Sequence, residues 1–224
     1  MLELNKIYNT DCLEFMRSMP DSYVDLILTD PPYEISMGGS GTLKSGRVYY
    51  RGQLDKIANG FDTETVLNEC ERISKKMNLF CFCSNKQNTK IMGWGEKKGY
   101  STTLLVWYKP NAIPFINNTF KSDLEFCVYI RGKGTKIKGT SKLFTHNCGK
   151  SKYGHPTEKP LEIIEKLILT ASNEGDLIFD PFMGSGTTAV ACKELNRSFI
   201  GCEIESKYCE IAEKRLRKAV RSLF

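Results

Sequence analysis

The chain has 224 residues, 41% of them hydrophobic and 26% charged, and a net charge of +6. That length suits one well-buried domain and is short for two, and no apolar run nears the roughly 18–20 residues that cross a bilayer. The opening Met1-Leu2-Glu3-Leu4-Asn5-Lys6 lacks the basic and apolar regions of a secretory signal, so a cytoplasmic or intraviral protein is expected.

In chain order, residues 6–9 read as a short strand and 11–18 as a helix with Leu13, Met16 and Met19 toward one side. The apolar run 23–28 reads as a buried strand that stops at Asp30-Pro31-Pro32-Tyr33, because two prolines offer no backbone donors and disfavour helix. Residues 34–60 are rich in glycine and serine and carry Lys44, Arg47 and Arg51, the composition of a long functional loop. A helix over 63–76 and a buried strand over 79–83 follow. Strands over 104–107 and 124–130 then read as antiparallel neighbours.

Arg131, Lys133, Lys136, Lys138, Lys142, Lys150 and Lys152 come next, with no acidic residue among them. Such a stretch suits either a phosphate backbone or a solvated surface loop. Pro160 suits the first turn of a helix whose Leu161, Ile164, Leu167, Ile168 and Ala171 share a face. A strand over 177–179 turns through Asp180 to Thr188 into another helix. A strand over 198–202 ends at Glu203, and a last helix carries Tyr208, Ile211, Ala212, Leu216 and Ala219 on one face. Strands alternating with helices predict an α/β fold: a mostly parallel sheet with an antiparallel edge strand and helices on both faces. The nine cysteines show no C-x-x-C pair and are expected to be reduced structural thiols, with no metal.

Two motifs carry chemistry. Gly184-Ser185-Gly186-Thr187-Thr188-Ala189 fits G-x-G-x-x-G/A between a strand and a helix, where glycines allow close backbone approach. Glu203 closes the next strand, where a carboxylate can accept hydrogen bonds from ribose hydroxyls. Together they indicate a nucleoside-containing cofactor and leave a nicotinamide dinucleotide and S-adenosylmethionine both open. The motif's late position, with one strand and one helix after it, weighs against the dinucleotide. In Asp30-Pro31-Pro32-Tyr33, a carboxylate and the Pro31 carbonyl can hold the two hydrogens of an aromatic amine, freeing its conjugated lone pair for attack. Tyr33 offers a face on which a flipped base can stack.

On these motifs the chain resembles the beta group of DNA amino-methyltransferases. The stretches 9–12, 25–33, 107–110, 155–160 and 180–188 look like the family's successive blocks. The resemblance implies a Rossmann-like S-adenosylmethionine-dependent fold and methyl transfer to adenine N6 in DNA, because Asp30 stands where relatives acting on cytosine N4 more often carry serine. It implies catalytic roles for Asp30, Pro31, Pro32 and Tyr33. Cofactor contacts are implied for Asp11, Thr157, Lys159, Asp180, Phe182, Gly184, Ser185, Gly186, Thr187 and Glu203, with Thr157 and Lys159 near the methionine carboxylate. DNA contacts are implied for Lys44, Arg47, Arg51 and the basic run from Arg131 to Lys152. One methyltransferase domain is expected over 1–224, with target recognition inserted at about 110–153 and the cofactor part at 155–224. Double-stranded DNA is the expected partner, with a homodimer and a cognate restriction endonuclease as further partners, in a bacterial or phage-infected cytoplasm. The alternatives are cytosine N4 or RNA adenine as target, a nicotinamide-dependent oxidoreductase, and an inactive DNA-binding homologue.

Overall fold

The computed structural model describes residues 2–33, 62–112, 120–148 and 158–219. Its strands are β1 (Lys6–Asn9), β2 (Leu26–Thr29), β3 (Asn78–Cys83), β4 (Ser101–Tyr108), β5 (Leu124–Arg131), β6 (Leu143–Thr145), β7 (Leu177–Asp180) and β8 (Ser198–Glu203). Its helices are α1 (Cys12–Ser18), α2 (Thr63–Ile73), α3 (Asn85–Lys97), α4 (Leu161–Ala171), α5 (Thr187–Glu194) and α6 (Ser206–Lys218). The strands form one sheet in the order β1-β8-β7-β2-β3-β5-β4-β6.

The central strands β2, β3 and β7 are buried at every position, as expected of parallel strands covered on both faces. Strand periodicity divides their side chains. Leu26, Leu28, Phe80 and Phe82 face the layer holding Ile164 and Leu167 of α4, Ala189 of α5 and Ala212 of α6. Ile27, Leu79 and Cys81 face Phe15 and Met16 of α1, Val66 and Leu67 of α2, and Ile91 and Trp94 of α3. Asp11 starts α1 by accepting from the amides of Leu13 and Glu14, and Asp62 starts α2 in the same way.

Two elements were not visible in the sequence pattern. Helix α3 contains Gly93 and Gly95, which dilute its apolar signal, yet it opens with a capping box between Ser84 and Gln87. Gly95 lets it lie against the sheet, since a Cβ there would stand 2.8 Å from Thr102 Cγ2. Strand β6 is three residues hidden in the basic run and is held by its pairing with β4.

The strand that opposes the rest also lies elsewhere than expected. It is β5, seated inside the sheet between β3 and β4, antiparallel to both, and the edge is the parallel strand β6. The crossover through α3 sets β4 one strand beyond β3, and the apolar Phe126–Ile130 stretch returns to fill that gap. Among the described residues, the stretch 110–153 holds the strands β5 and β6.

Candidate active site

The carboxyl ends of the parallel strands converge at one edge. Asp11 follows β1, Asp30 follows β2, Asp180 closes β7 and Glu203 closes β8, while Glu125 stands at the start of the antiparallel β5. The crevice at this edge is where open α/β sheets bind ligands.

Around Asp30 lies a cluster of charge. Lys159 Nζ donates to Asp30 Oδ2 and to Glu125 Oε1, the latter at 2.9 Å. Glu125 Oε1 also accepts from the Tyr33 hydroxyl at 2.9 Å, and Glu125 Oε2 pairs with Lys109 Nζ at 2.6 Å. The Lys159 ammonium lies 5.3 Å from the centroid of the Tyr33 ring and 5.1 Å from that of Phe82. Two carboxylates and two ammonium groups balance, which is how a protein keeps charges in a desolvated place. Asp30 Oδ1 is the exception. It is buried and has no hydrogen-bond partner among the described residues.

The cluster sets each group's ionisation. Burial pushes Asp30 above the usual carboxylate range; Lys159 offsets this in part and Glu125 adds to it. Burial also works against ionised Glu125, but the Lys159 and Lys109 charges outweigh it and hold Glu125 at about 2. Burial opposes the Lys159 charge, yet the two carboxylates outweigh it and raise its pKa.

The turn after Asp30 is fastened by a residue the sequence reading passed over. Gln87 is fully buried, and its Nε2 donates to the Pro32 carbonyl at 2.9 Å. The signal available was its place in the Ser84 capping box, three residues into α3.

The glycine turn is built from both sides. Asp180 accepts from the Phe182 amide at 3.0 Å and from the Thr188 hydroxyl at 2.7 Å, so both its oxygens are engaged within the turn. Burial lifts its pKa to about 7, against the pull of those two donors. Glu203 Oε2 accepts from the Gly184 amide and Oε1 from the Glu205 amide, both at 2.8 Å. Gly186 has a φ of 84°, and a Cβ on it would stand 2.6 Å from Ala212 Cβ, so this glycine serves the packing of α6. Ser185 and Thr187 are buried, and their hydroxyls lie 2.9 and 3.1 Å from Arg215 Nη1, which also donates to the Ser185 carbonyl.

The sequence-derived sites are thus placed unequally. Asp30, Pro31, Pro32, Tyr33 and Lys159 meet, and Asp11, Glu203 and the turn from Phe182 to Gly186 share the same edge. Lys159, expected near a methionine carboxylate, has its ammonium between Asp30 and Glu125. Ser185, Thr187 and Asp180 direct their side-chain oxygens to protein partners that shape the turn. Thr157, Lys44, Arg47, Arg51, Lys150 and Lys152 lie outside the described residues.

The basic residues from Arg131 to Lys138, which are among the described residues, do not gather around Asp30. Because β5 runs antiparallel, Arg131 ends up beside Asn78 and Ser101, at the starts of β3 and β4. It lies six residues along the strand from Glu125, roughly 20 Å at strand rise. Lys133, Lys136 and Lys138 continue along that far edge, where Lys138 N donates to the Thr170 carbonyl near the end of α4. Lys142 precedes β6 on the outer edge of the sheet. Charge in the sequence carried no sign of the direction in which the strand would run.

A glycine turn fastened to Glu203, beside a buried acceptor set in Asp-Pro-Pro-Tyr, defines a nucleoside-cofactor enzyme acting on an amine. Glu203, which remains half-buried at the edge, and the Gly184 turn suit the nucleoside of S-adenosylmethionine, and unpartnered Asp30 Oδ1 suits an amine donor. The chain belongs to the N6/N4 DNA methylase family, whose model, described as DNA methylase, matches residues 24–214. It is 30% identical to the type II methyltransferase M.HinfI of Haemophilus influenzae over 96% of this chain and 69% of that protein. It is also 30% identical to M2.DpnII of Streptococcus pneumoniae, over 94% and 88% respectively. Among solved structures, the M1.HpyAVI–SAM complex matches with a TM-score of 0.71 and 28% identity, over 94% of this chain and 98% of that one. The cytosine-N4-specific PvuII DNA methyltransferase shares the fold, with a TM-score of 0.73 at 16% identity over 94% and 85%. The chain is a DNA methyltransferase, and S-adenosylmethionine is its methyl donor.

Proposed function

We propose that the methyl acceptor is the N6 amine of an adenine turned out of double-stranded DNA, and that Asp30 holds it. The observation that carries this reading is Asp30 Oδ1, a buried acceptor with no partner among the described residues, next to the Tyr33 ring. A buried oxygen of this kind is costly unless a ligand satisfies it.

In this reading Asp30 Oδ1 accepts one amine hydrogen and the Pro31 carbonyl the other, which turns the nitrogen lone pair out of conjugation with the ring. Gln87, by holding the Pro32 carbonyl, keeps the loop in register. Tyr33 provides the stacking face for the flipped base. Glu203 and the turn around Phe182 and Gly184 hold the nucleoside, with Asp11 near its adenine. S-adenosylmethionine, when bound, supplies a methyl group already activated on a sulfonium centre, so the protein's work is orientation and charge placement. No cysteine is required as nucleophile, and burial pushes the nearby Cys83 thiol up to about 12.

DNA contacts are assigned in this reading to Lys44, Arg47, Arg51, Lys150 and Lys152, which are joined in sequence to residues at the Asp30 edge. Arg131, Lys133, Lys136 and Lys138 lie toward the opposite edge of the sheet and are left out of these contacts. A homodimer, a cognate restriction endonuclease, one domain over 1–224 and a cytoplasmic location complete the proposal. Among the described residues, no helix is long and apolar enough to cross a membrane.

The test is to incubate the protein with unmethylated duplex DNA and methyl-labelled S-adenosylmethionine, then to analyse the digested nucleosides. Label in N6-methyladenine is expected. Label in N4-methylcytosine would overturn the assignment of the base while keeping that of the amine chemistry.

A further inference from the structure

The carboxylate of Glu125 is held more tightly than a surface residue of β5 requires. Its side chain is only 12% exposed, and three donors converge on it: Lys159 and the Tyr33 hydroxyl on Oε1, and Lys109 on Oε2. Two of these three belong to the immediate surroundings of Asp30. Lys159 is shared between Asp30 and Glu125, and Tyr33 completes the Asp-Pro-Pro-Tyr turn. Glu125 itself comes from β5, two strands from β2 in the sheet, where it pairs with Trp107 on β4. The Lys109 ammonium that neutralises its outer oxygen sits 4.7 Å from the centroid of the Trp107 ring.

We propose that Glu125 is a positioning residue for methyl transfer: it divides the Lys159 ammonium with Asp30 and fixes the Tyr33 hydroxyl, so that Asp30 keeps a strong acceptor aimed at the amine and the Tyr33 ring keeps its angle. The inference rests on the assignment of Asp30 as amine holder. Without Glu125 the ammonium would belong to Asp30 alone. Asp30 would then become a weaker acceptor, and the Tyr33 hydroxyl would lose its hydrogen bond to Glu125 Oε1.

Among the described residues, the groups facing Asp30 are few, and the electrostatic consequence has a definite sign. They are Lys159, Tyr33, Glu125, the thiols of Cys81 and Cys83 on β3 and of Cys127 on β5, and Asp180 on β7. The three thiols are kept neutral by burial. Lys159 and Glu125 are therefore the charges that act most directly on Asp30, with opposite signs. Losing the Glu125 charge lowers the pKa of Asp30, and the acidic limb of the rate profile moves to lower pH.

The experiment compares wild type, Glu125→Gln and Asp30→Ala in single-turnover methylation across pH, with S-adenosylmethionine affinity measured in parallel by calorimetry. For Glu125→Gln, the expected result is a single-turnover rate lower on the order of 10- to 100-fold, an acidic limb moved to lower pH, and cofactor affinity within about twofold of wild type. Wild-type rate and limb in Glu125→Gln, with Asp30→Ala inactive, overturn the positioning role and leave the Asp30 assignment standing. Turnover surviving in Asp30→Ala overturns both. A scaffolding role alone would lower thermal stability and cofactor affinity and leave the limb in place, which also overturns the proposal. Should Glu125→Gln fail to fold, Glu125→Asp decides. It keeps the charge one methylene short, so the limb should stay while the rate falls, and an unchanged rate would overturn the proposal.

Discussion

Lys159 Nζ donates a hydrogen bond to Asp30 Oδ2 across 129 residues of sequence, joining the segment before α4 to the end of β2. The Lys159 side chain is only 7% exposed, so it is a buried cation whose worth depends on its two carboxylates. Lys159→Met leaves buried Asp30 without a counter-ion, facing a Glu125 that keeps only Lys109, and the expected destabilisation is about 3–5 kcal/mol. The loss should be largest near pH 8 and shrink as the pH falls, because protonation of Asp30 removes the unpaired charge. Urea unfolding at two pH values measures it, and an unchanged midpoint at pH 8 would deny the pair any net role.

Asp180 makes a pH prediction of definite sign. Its carboxyl is lifted from 3.8 to about 7 by burial, so between those values the folded chain holds a proton that the unfolded chain releases. Stability from this group is present at low pH and is lost as the pH rises through that window. Each unit of displacement is worth about 1.4 kcal/mol, so the total is about 2–4 kcal/mol. Asp180→Asn carries no such penalty and can still accept from the Phe182 amide. The stability of Asp180→Asn relative to wild type should rise from pH 5 to pH 8, and a constant difference would contradict the shift.

Gly186→Val tests packing against α6. The residue sits at a φ of 84°, a region costing a side chain roughly 1–2 kcal/mol, and its Cβ would collide with Ala212. Overpacking adds about 1–3 kcal/mol. Unfolding midpoints should fall accordingly. Ala212→Gly in the same chain should recover part of the loss and no more, because Ala212 Cα would still lie 3.0 Å from the added carbon and the φ is unchanged. Full recovery would mean that backbone strain contributes little.

Reversing charge at Lys133, Lys136 and Lys138 separates sequence clustering from spatial placement. These residues lie at the edge opposite Asp30. The triple change to glutamate should alter affinity for a short duplex carrying one target site by less than about twofold, with the salt dependence of binding kept. A slope reduced by two or three phosphate contacts would instead bring DNA to that edge.

Much of the fold could be read directly from the order of residues. The apolar runs ending at Asp30, Asp180 and Glu203 are strands because side chains buried on both faces leave no polar alternation. Their acidic ends mark the functional edge because parallel strands all finish on the same side. Helix α3 was less legible, since Gly93 and Gly95 blur its periodicity and only the contact with Thr102 explains Gly95.

The Asp-Pro-Pro-Tyr turn, the glycine turn and the closing Glu203 were determined locally, because each depends on the conformational preferences and donor groups of adjacent residues. Tertiary structure alone decided that Lys159 and Glu125 meet at Asp30, that Gln87 fastens Pro32, and that Arg131 to Lys138 leave the site. Those outcomes follow from strand order and strand direction. An antiparallel β5 brings Glu125 to the catalytic edge and, within the same strand, carries Arg131 away from it.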